Sequence, residues 1–193
     1  MRISRKYIGG FPMFQKFAAL VLAAFGLFAF SPVQAATDQT GNVPLPILES
    51  SYQPNFVGSL VMGTLSPTDG DSGSLIGAEL SLDCPIFQPS TGLIRQQVSY
   101  ATYSQNSVTV SLIELNPHWV TEVSTGFFVG GGPGLGLATA SVTGGSSKSY
   151  FEIGLGASAF YKMDSLQFGG EWRQMSAGDL NNSRMLLKAG LAF

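Results

Sequence analysis

Hydrophobic and polar positions alternate along the chain from residue 55 to its last residue. In Tyr150–Met163 every odd-numbered position is apolar, while five of the seven even-numbered ones are polar or glycine: Glu152, Gly154, Gly156, Ser158 and Lys162. Because successive side chains of a β-strand point to opposite faces, this pattern predicts a strand with one apolar face. The same alternation predicts strands over Ser74–Cys84, Leu166–Arg173 and Arg184–Phe193.

Four further segments fit the alternation less regularly: Asn55–Leu65, Leu93–Tyr103, Val108–Leu115 and Thr125–Val142. In the third of them the apolar positions change parity between Leu112 and Ile113, which predicts either a β-bulge there or a strand with different bounds. The separators PTDGDSG, CPIFQPSTG, SQNS, NPHW, TGGSSK, MDS and SAGDLNNS are rich in turn-forming residues. The chain is therefore predicted to form eight strands joined by short turns.

The N-terminal segment has the layout of a secretory signal peptide. Arginine and lysine precede an apolar run of about 14 residues, and small residues follow it up to Ala35. We therefore assign residues 1–35 to a signal peptide, with Met13 as an alternative start. Residues 36–54 lack any period and are predicted to form an irregular N-terminal arm, which leaves residues 55–193 for the folded domain.

The composition indicates where these strands fold. The sequence is 45% hydrophobic and only 11% charged, whereas soluble domains are about 25% charged. No apolar run after residue 35 approaches the roughly 20 residues of a membrane-spanning helix. Closed barrels are the other structure that satisfies all backbone hydrogen bonds within a bilayer. The prediction is an all-β protein, an eight-stranded antiparallel up-and-down transmembrane β-barrel.

The sidedness of the strands separates this barrel from a soluble, lipocalin-like carrier. The apolar faces are long and almost free of charge, while the opposite faces mix glycine and serine with charges of both signs, as a narrow polar lumen requires. Three aromatic residues near predicted strand ends are expected at the membrane interfaces: Trp119, Tyr161 and Trp172.

Charged residues on the inward faces predict a network that fills the lumen. Reflecting the last hairpin about a loop centre near Asp179 sets Glu171 opposite Lys188, and such cross-strand pairs contribute about 0.2 to 1 kcal/mol. Since eight strands leave an interior just wide enough for side chains, the network should plug the barrel. Asp83 and Arg184 fit equally well as solvated charges at the mouths. The predicted network comprises Glu79, Arg95, Glu152, Glu171, Arg173 and Lys188.

The glycine-rich stretch FFVGGGPGLGLATA lacks the glycine spacing of a dinucleotide-binding loop. In strand parity its inward glycines, from Gly130 to Gly136, leave space for the long side chains of Arg95, Arg173 or Tyr150. A proline removes one ladder hydrogen bond, and a closed barrel has no free edge. We therefore predict a bulge or a locally broken pairing at Gly132 and Pro133.

The leader, the eight alternating segments and the ending MLLKAGLAF resemble the small bacterial outer-membrane β-barrels of the OmpA/OmpX type. The alternation that ends at Phe193, with Leu187 and Leu191, is similar to the assembly signal that the barrel insertion machinery reads in this family. The resemblance implies a structural or surface-interaction protein in contact with outer-membrane lipid and lipopolysaccharide. It also implies periplasmic termini and places PTDGDSG, SQNS, TGGSSK and SAGDLNNS outside, where their shortness argues against strong adhesion.

The same scaffold resembles outer-membrane lipid A-modifying enzymes, which need an activated serine or a histidine with a carboxylate. The one histidine, His118, lies in the predicted periplasmic turn NPHW and lacks the His-x-Ser pairing of the deacylases. Glu114 and Glu122 beside it lack metal-ligand spacing. We predict no catalytic residue, metal or cofactor. A net charge of -2 without a basic patch argues against nucleic acid. A lipid A enzyme, a narrow pore and a soluble periplasmic carrier remain alternatives.

Overall fold

The structure of the protein is a computed structural model that describes residues 45–48, 52–89, 91–177 and 180–193. The predicted signal peptide, residues 1–35, lies outside the described residues, as do residues 36–44 and 49–51 of the predicted arm. Among the described residues no helix is long and apolar enough to cross a membrane.

Eight antiparallel strands close into a barrel in which each strand pairs with its neighbours along the chain and β8 pairs with β1. This confirms the predicted all-β, up-and-down fold. A short 3₁₀ helix, Pro46–Leu48, precedes β1 (Val57–Pro67), β2 (Gly73–Asp83), β3 (Leu93–Gln105), β4 (Val108–Ser124), β5 (Phe127–Val142), β6 (Ser147–Met163), β7 (Leu166–Ala177) and β8 (Leu180–Ala192).

The two ends of the barrel differ. At one end lie the start of β1 and the end of β8, together with the β2–β3, β4–β5 and β6–β7 connections; we call it the terminus end. The β1–β2, β3–β4, β5–β6 and β7–β8 connections lie at the other end, the loop end. β4, β5 and β6 are the longest strands, with 17, 16 and 17 residues.

The predicted turn at NPHW is wrong. Asn116, Pro117 and His118 lie inside β4, and the chain turns instead at Thr125 and Gly126. Gly126 has a φ of 75°, which suits glycine, and its amide donates to Glu122 Oε1 over 2.7 Å. An Asn-Pro pair is a strong turn signal, but here it is one step in a continuous alternation.

The predicted bulge between Leu112 and Ile113 is also wrong. Leu112 is 1% exposed and Ile113 is 55% exposed, so the strand keeps its alternation, and the β4–β5 register shifts instead between Glu122 and Ser124. Hydrophobicity changes parity at Leu112 because the lumen itself is apolar at that height. The side chains of β4 thus keep alternating between the lumen and the outer surface, and only the polarity of the lumen changes along the strand.

The outer surface of the barrel is an apolar belt. Even-numbered residues of β1, β2, β3 and β7 and odd-numbered residues of β4, β5, β6 and β8 face outward, and none of these described residues is charged. Several large hydrophobic side chains are more than half exposed: Leu60, Met62, Ile76, Ile113, Ile153, Leu155, Met185 and Leu187. An apolar surface that runs around all eight strands is larger than the apolar patches that soluble monomers expose to water.

The lumen is apolar near the loop end and charged further in. The buried apolar cluster comprises Val61, Leu65, Leu75, Ala101, Tyr103, Leu112, Ala138 and Leu186. The next inward residues toward the terminus end are polar on several strands, for example Glu114 after Leu112 on β4 and Ser99 after Ala101 on β3. The candidate functional residues therefore lie inside the barrel.

Candidate functional site

Arg173 of β7 is the centre of a buried network of charges. Its side chain is 1% exposed, and its guanidinium donates to Glu114 Oε2 over 2.6 Å, to Glu79 Oε2 over 3.2 Å and to Glu171. These carboxylates come from β4, β2 and the same strand, β7. One planar fork of donors thus joins opposite sides of the barrel, as the geometry of arginine favours.

Arg184 of β8 extends the network toward the loop end. It donates to Glu114 and Glu152, and its Nε donates to Asn182 Oδ1 over 2.8 Å. Asn182 in turn donates to Glu152 Oε1 over 2.9 Å. Glu114 therefore links the two arginines, which occupy directly opposed positions of the β7–β8 ladder. Without this carboxylate between them, two buried like charges would repel each other.

Lys188 of β8 closes the network on its other side. Its Nζ donates to Glu79 Oε2 over 2.6 Å and to Glu171. The predicted register is wrong, since Lys188 lies opposite Gly169 and Glu171 lies opposite Leu186. The strands pair up to Ala177 and Leu180, so the hairpin is centred between positions 178 and 179, one residue earlier than a directly opposed Glu171 and Lys188 would require. The long lysine side chain still reaches Glu171 along the diagonal.

Every charged member of this network is buried except Lys188, whose side chain is still only 8% exposed. Removing such groups from water costs several kcal/mol per ion unless each charge finds partners, and here each carboxylate accepts from at least one cation. The network holds four glutamates (residues 79, 114, 152 and 171) against Arg173, Arg184 and Lys188. Its side chains join β2, β4, β6, β7 and β8 across the lumen at this height.

Arg95 belonged to the predicted network, but the structure places it beside the network. Its Nε donates to Ser81 Oγ over 3.1 Å and its Nη1 to Gln167 Oε1 over 2.7 Å. Its guanidinium also lies 5.2 Å from the centre of the Phe160 ring. Among the described residues it has no carboxylate within 4.0 Å.

Sequence reasoning missed Glu114 and left Arg184 open. Arg184 fitted either the network or a solvated charge at the mouth, and it is fully buried. Glu114 was considered only as a metal ligand. The signal for Glu114 was the uninterrupted alternation of Glu114, Asn116 and His118 with apolar neighbours, which the turn chemistry of Asn-Pro concealed.

His118, predicted in a turn, is fully buried in the lumen. Its Nδ1 lies 3.0 Å from Ser158 Oγ, and its Nε2 lies 3.7 Å from Glu171 Oε1. Serine, histidine and carboxylate together are the parts of a nucleophilic triad. However, Glu171 is already held by Arg173 and Lys188, and the cavity beside Ser158 measures about 10 Å³. That volume holds one water molecule and no substrate.

The inward glycines make room for different side chains than predicted. A Cβ on Gly134 would lie 2.5 Å from Asn116 Oδ1, and one on Gly136 would lie 3.3 Å from Glu114 Cγ and 3.4 Å from Glu152 Oε2. The space that was assigned to Arg95, Arg173 or Tyr150 is thus taken mainly by residues of β4 and β6. These two strands flank β5, so their side chains lie nearest to the space that the glycines leave.

The predicted irregularity at Gly132 and Pro133 lies where β5 passes a second proline. The β4–β5 pairing runs to Leu115↔Leu135 and resumes in the same register at Trp119↔Gly131. Within this interval Pro117 and Pro133 occupy opposed positions, and neither has an amide proton to donate. On its other side β5 stays paired with β6, including Gly132↔Gly156 and Pro133↔Leu155.

The remaining predicted residues lie on the outer surface. Trp119, Tyr161 and Trp172 are each about half exposed. Because β7 continues to Ala177, Trp172 lies in the middle of its strand and not near the end. Leu187, Leu191 and Phe193 also face outward, and the Phe193 amide donates to Phe56 O over 3.0 Å.

A cavity of about 340 Å³ opens at the loop end, above the charged network. We call it the cup. Its wall is formed by Leu65, Val110, Leu112, Ala138, Ala140 and Tyr150, and Glu152 and Asn182 lie at its base. Within the described chain, no group of three or more histidine, cysteine or acidic residues is placed to hold a metal.

Comparison with solved structures identifies the fold. Ail, the attachment invasion locus protein of Yersinia pestis, is 12% identical with a TM-score of 0.55, over 72% of this chain and 97% of that one. Neisserial surface protein A (NspA) is 13% identical with a TM-score of 0.51, over 72% and 97%. The N-terminal β-barrel domain of Pseudomonas aeruginosa OprF is 16% identical with a TM-score of 0.51, over 73% and 100%.

This likeness shows that the chain has the fold of the eight-stranded outer-membrane β-barrels. At such low identity it shows the fold alone. No protein-family model matches the chain, and no curated protein sequence matches it.

Proposed function

We propose that the protein is an integral outer-membrane β-barrel with a structural or surface-interaction role and a lumen closed by side chains. The observation that carries this proposal is the uncharged outer belt. On β6 the outward residues from Phe151 to Met163 are all apolar or aromatic. Twelve steps of about 3.3 Å, tilted by about 45°, span about 28 Å, which matches the thickness of the hydrocarbon core.

Membrane insertion is tested by fractionating cells and comparing electrophoretic mobility in detergent with and without boiling. We expect the protein in the outer-membrane fraction, with a shift in mobility on boiling because a folded barrel resists the detergent. Recovery in the soluble fraction without detergent would favour the soluble carrier instead.

The closed lumen argues against the narrow pore. The network around Arg173 joins β2, β4, β6, β7 and β8 across the interior. We expect planar bilayers that contain the purified protein to show no steady single-channel conductance. An ohmic conductance that survives repurification would favour a pore.

The proposal includes no enzyme activity. The Ser158, His118 and Glu171 side chains lie beside a space that holds one water, so a lipid substrate has no access to them. Expression should leave the mass of lipid A unchanged. A change in that mass that His118→Gln abolishes would contradict the proposal.

The orientation follows from the resemblance to the OmpA/OmpX-type barrels, with both termini in the periplasm and the loop end outside. We expect an epitope inserted between Gly144 and Gly145 to be detected on intact cells. The matched insertion between Asp164 and Ser165, at the other end, should be detected only after the outer membrane is opened. The reverse result would invert the topology.

Assembly by the outer-membrane insertion machinery is proposed from Leu187, Leu191 and Phe193. Phe193→Ala should lower the folded fraction in cells, whereas Phe168→Ala, which removes another outward aromatic, should leave it closer to wild type. Equal effects would assign Phe193 a general packing role.

The described loop end carries two acidic residues, Asp69 and Asp71, and one basic residue, Lys148. A surface with so few cations fits lipid and lipopolysaccharide contact through the belt better than recognition of a polyanion by the loops.

A further inference from the structure

The cup at the loop end has the size and lining of a ligand site. Its volume of about 340 Å³ exceeds the ~150 Å³ of an engineered apolar cavity that stays dry and binds benzene. It lies at the lower end of the range of small-molecule pockets, which runs from about 300 to about 1,000 Å³. Leu65, Val110, Leu112 and Ala138 give it an apolar wall that lipid does not reach.

The rim of the cup is held in place by hydrogen bonds between different loops. Tyr103 Oη donates to Asp71 O over 2.8 Å, and Asn106 Nδ2 donates to Asp71 Oδ2 over 3.2 Å, which ties the β1–β2 loop to β3 and its turn. The amide of Thr68 donates to Asn181 O over 2.8 Å and joins the β7–β8 hairpin. A site whose mouth is already ordered loses less entropy on binding.

The base of the cup is closed. Glu152 at the base accepts from Arg184 and Asn182, so its charge is already compensated within the protein. Below it the network fills the lumen, and a molecule that enters from the loop end has no way through. The cup is therefore suited to hold a molecule and not to conduct one.

The charges around the cup select against anions. Asp69 and Asp71 lie in its lining at the rim, and Glu152 lies at its base. A fatty acid carboxylate would meet the carboxylates of Asp69 and Asp71 at the rim and would find no free cation at the base, because Arg184 is already paired with Glu152. A cation has no unpaired partner at the base, since Glu152 is bound to Arg184.

We infer that the cup is a binding site for a small, uncharged and mostly apolar molecule that enters from the loop end. The width of the lumen restricts this molecule to a single ring or a short chain. The Tyr150 side chain lines the cup, and its hydroxyl has no hydrogen-bond partner among the described residues. This hydroxyl can therefore form one hydrogen bond with the bound molecule.

The test is a titration of the full barrel in lipid nanodiscs, followed by methyl NMR of its leucine and valine residues. The probe is 4-phenylbutan-1-ol, with 4-phenylbutyrate as its anionic counterpart. We expect saturable shifts of the Leu112 and Val110 methyls with the alcohol and binding that is at least about tenfold weaker with the carboxylate. Lipid-facing Leu60 and Val98 report partition of the probe into the bilayer, which does not saturate.

Ala140→Phe fills the cup and should abolish the saturable shifts. Ala78→Phe makes the same change on the outer belt and should leave them unchanged. Ala138→Leu serves as a second filling variant if Ala140→Phe does not fold by the boiling test.

Three results would overturn the inference. The first is the absence of saturable shifts at Leu112 and Val110. The second is equal binding by wild type and a folded cup-filling variant. The third is contact between these methyls and lipid acyl protons in the probe-free nanodisc, since the occupant would then be a lipid chain from the membrane.

Discussion

The charged network and the cup lie in the same lumen, one step of alternation apart. On β4, Leu112 belongs to the apolar cluster and the next inward residue, Glu114, bridges two arginines. On β6, Tyr150 lines the cup and the next inward residue, Glu152, pairs with Arg184. One region is filled and stabilised by charge pairing, whereas the other is open and relies on apolar side chains.

The contrast between the charged network and the cup shows how a narrow barrel divides its interior. A buried charge is tolerated only where partners surround it, so charges gather where several strands can supply them at once. Apolar residues set no such condition and can leave a space unfilled. We therefore expect substitutions in the network to be far more costly than substitutions that fill the cup.

The largest effect is expected from Arg173→Met. Removing one partner of a buried ion pair costs about 3 to 5 kcal/mol, because the carboxylates it served are left without compensation. Urea unfolding in lipid vesicles measures the loss. Arg173→Lys keeps the charge and should lose less. A loss below about 1 kcal/mol for Arg173→Met would mean that the network does not stabilise the barrel.

A medium effect is expected from Gly136→Leu, which places a side chain where Glu114 and Glu152 lie. Overpacking of this kind costs about 1 to 3 kcal/mol. Gly170→Leu is the matched control, since Gly170 faces outward and its nearest neighbour is 3.5 Å from the new Cβ. Equal stability of the two variants would show that the lumen around Gly136 yields readily.

A small effect is expected from Ala140→Phe in the cup. The cavity accepts the ring without displacing a charged residue, so the free energy of unfolding should stay within about 1 kcal/mol of wild type. The same urea titration measures it. A loss as large as that of Gly136→Leu would erase the contrast between the two regions.

The smallest effect is expected outside the lumen, at Tyr52, whose hydroxyl donates to Asp83 O over 2.8 Å. Burial raises the pKa of Tyr52, and the Asp83 charge raises it further. Because the folded state binds this proton more tightly, the stabilisation is present below the ordinary tyrosine pKa of about 10 and is lost as the pH rises through the higher folded value.

Urea midpoints of wild type and Tyr52→Phe, measured across that alkaline range, check this effect. The difference between them should change with pH only above about 10. A difference in urea midpoint that stays constant with pH would mean that the proton of Tyr52 is not linked to folding.

Much of the fold could be predicted from the sequence, because the side-chain direction of a strand repeats every two residues and a face in contact with lipid lacks charged residues. The outer face obeys that rule at every strand, including β4, where Ile113, Pro117 and Trp119 continue it. The prediction of a turn was wrong at Asn116 and Pro117, where local turn chemistry and strand alternation indicated different structures. There the closed sheet overrode the local preference.

The inner face was harder to read. Glu79, Glu152, Glu171, Arg173 and Lys188 could be placed in the lumen from parity. Their partners could not, because a contact across a barrel depends on the register of all eight strands. A hairpin centre displaced by one residue moved Lys188 from Glu171 to Gly169 in the ladder, and only the length of its side chain preserved the ion pair.

The number of strands, the order of pairing and the uncharged outer belt follow from the amino-acid sequence alone, since each depends on local alternation and the lack of charge. Four features depend on the folded barrel: which charges meet, the separation of Arg95 from the network, the burial of His118, and the division of the lumen into a filled part and an open part. These depend on distances between residues far apart in the chain, and closure of the barrel sets those distances.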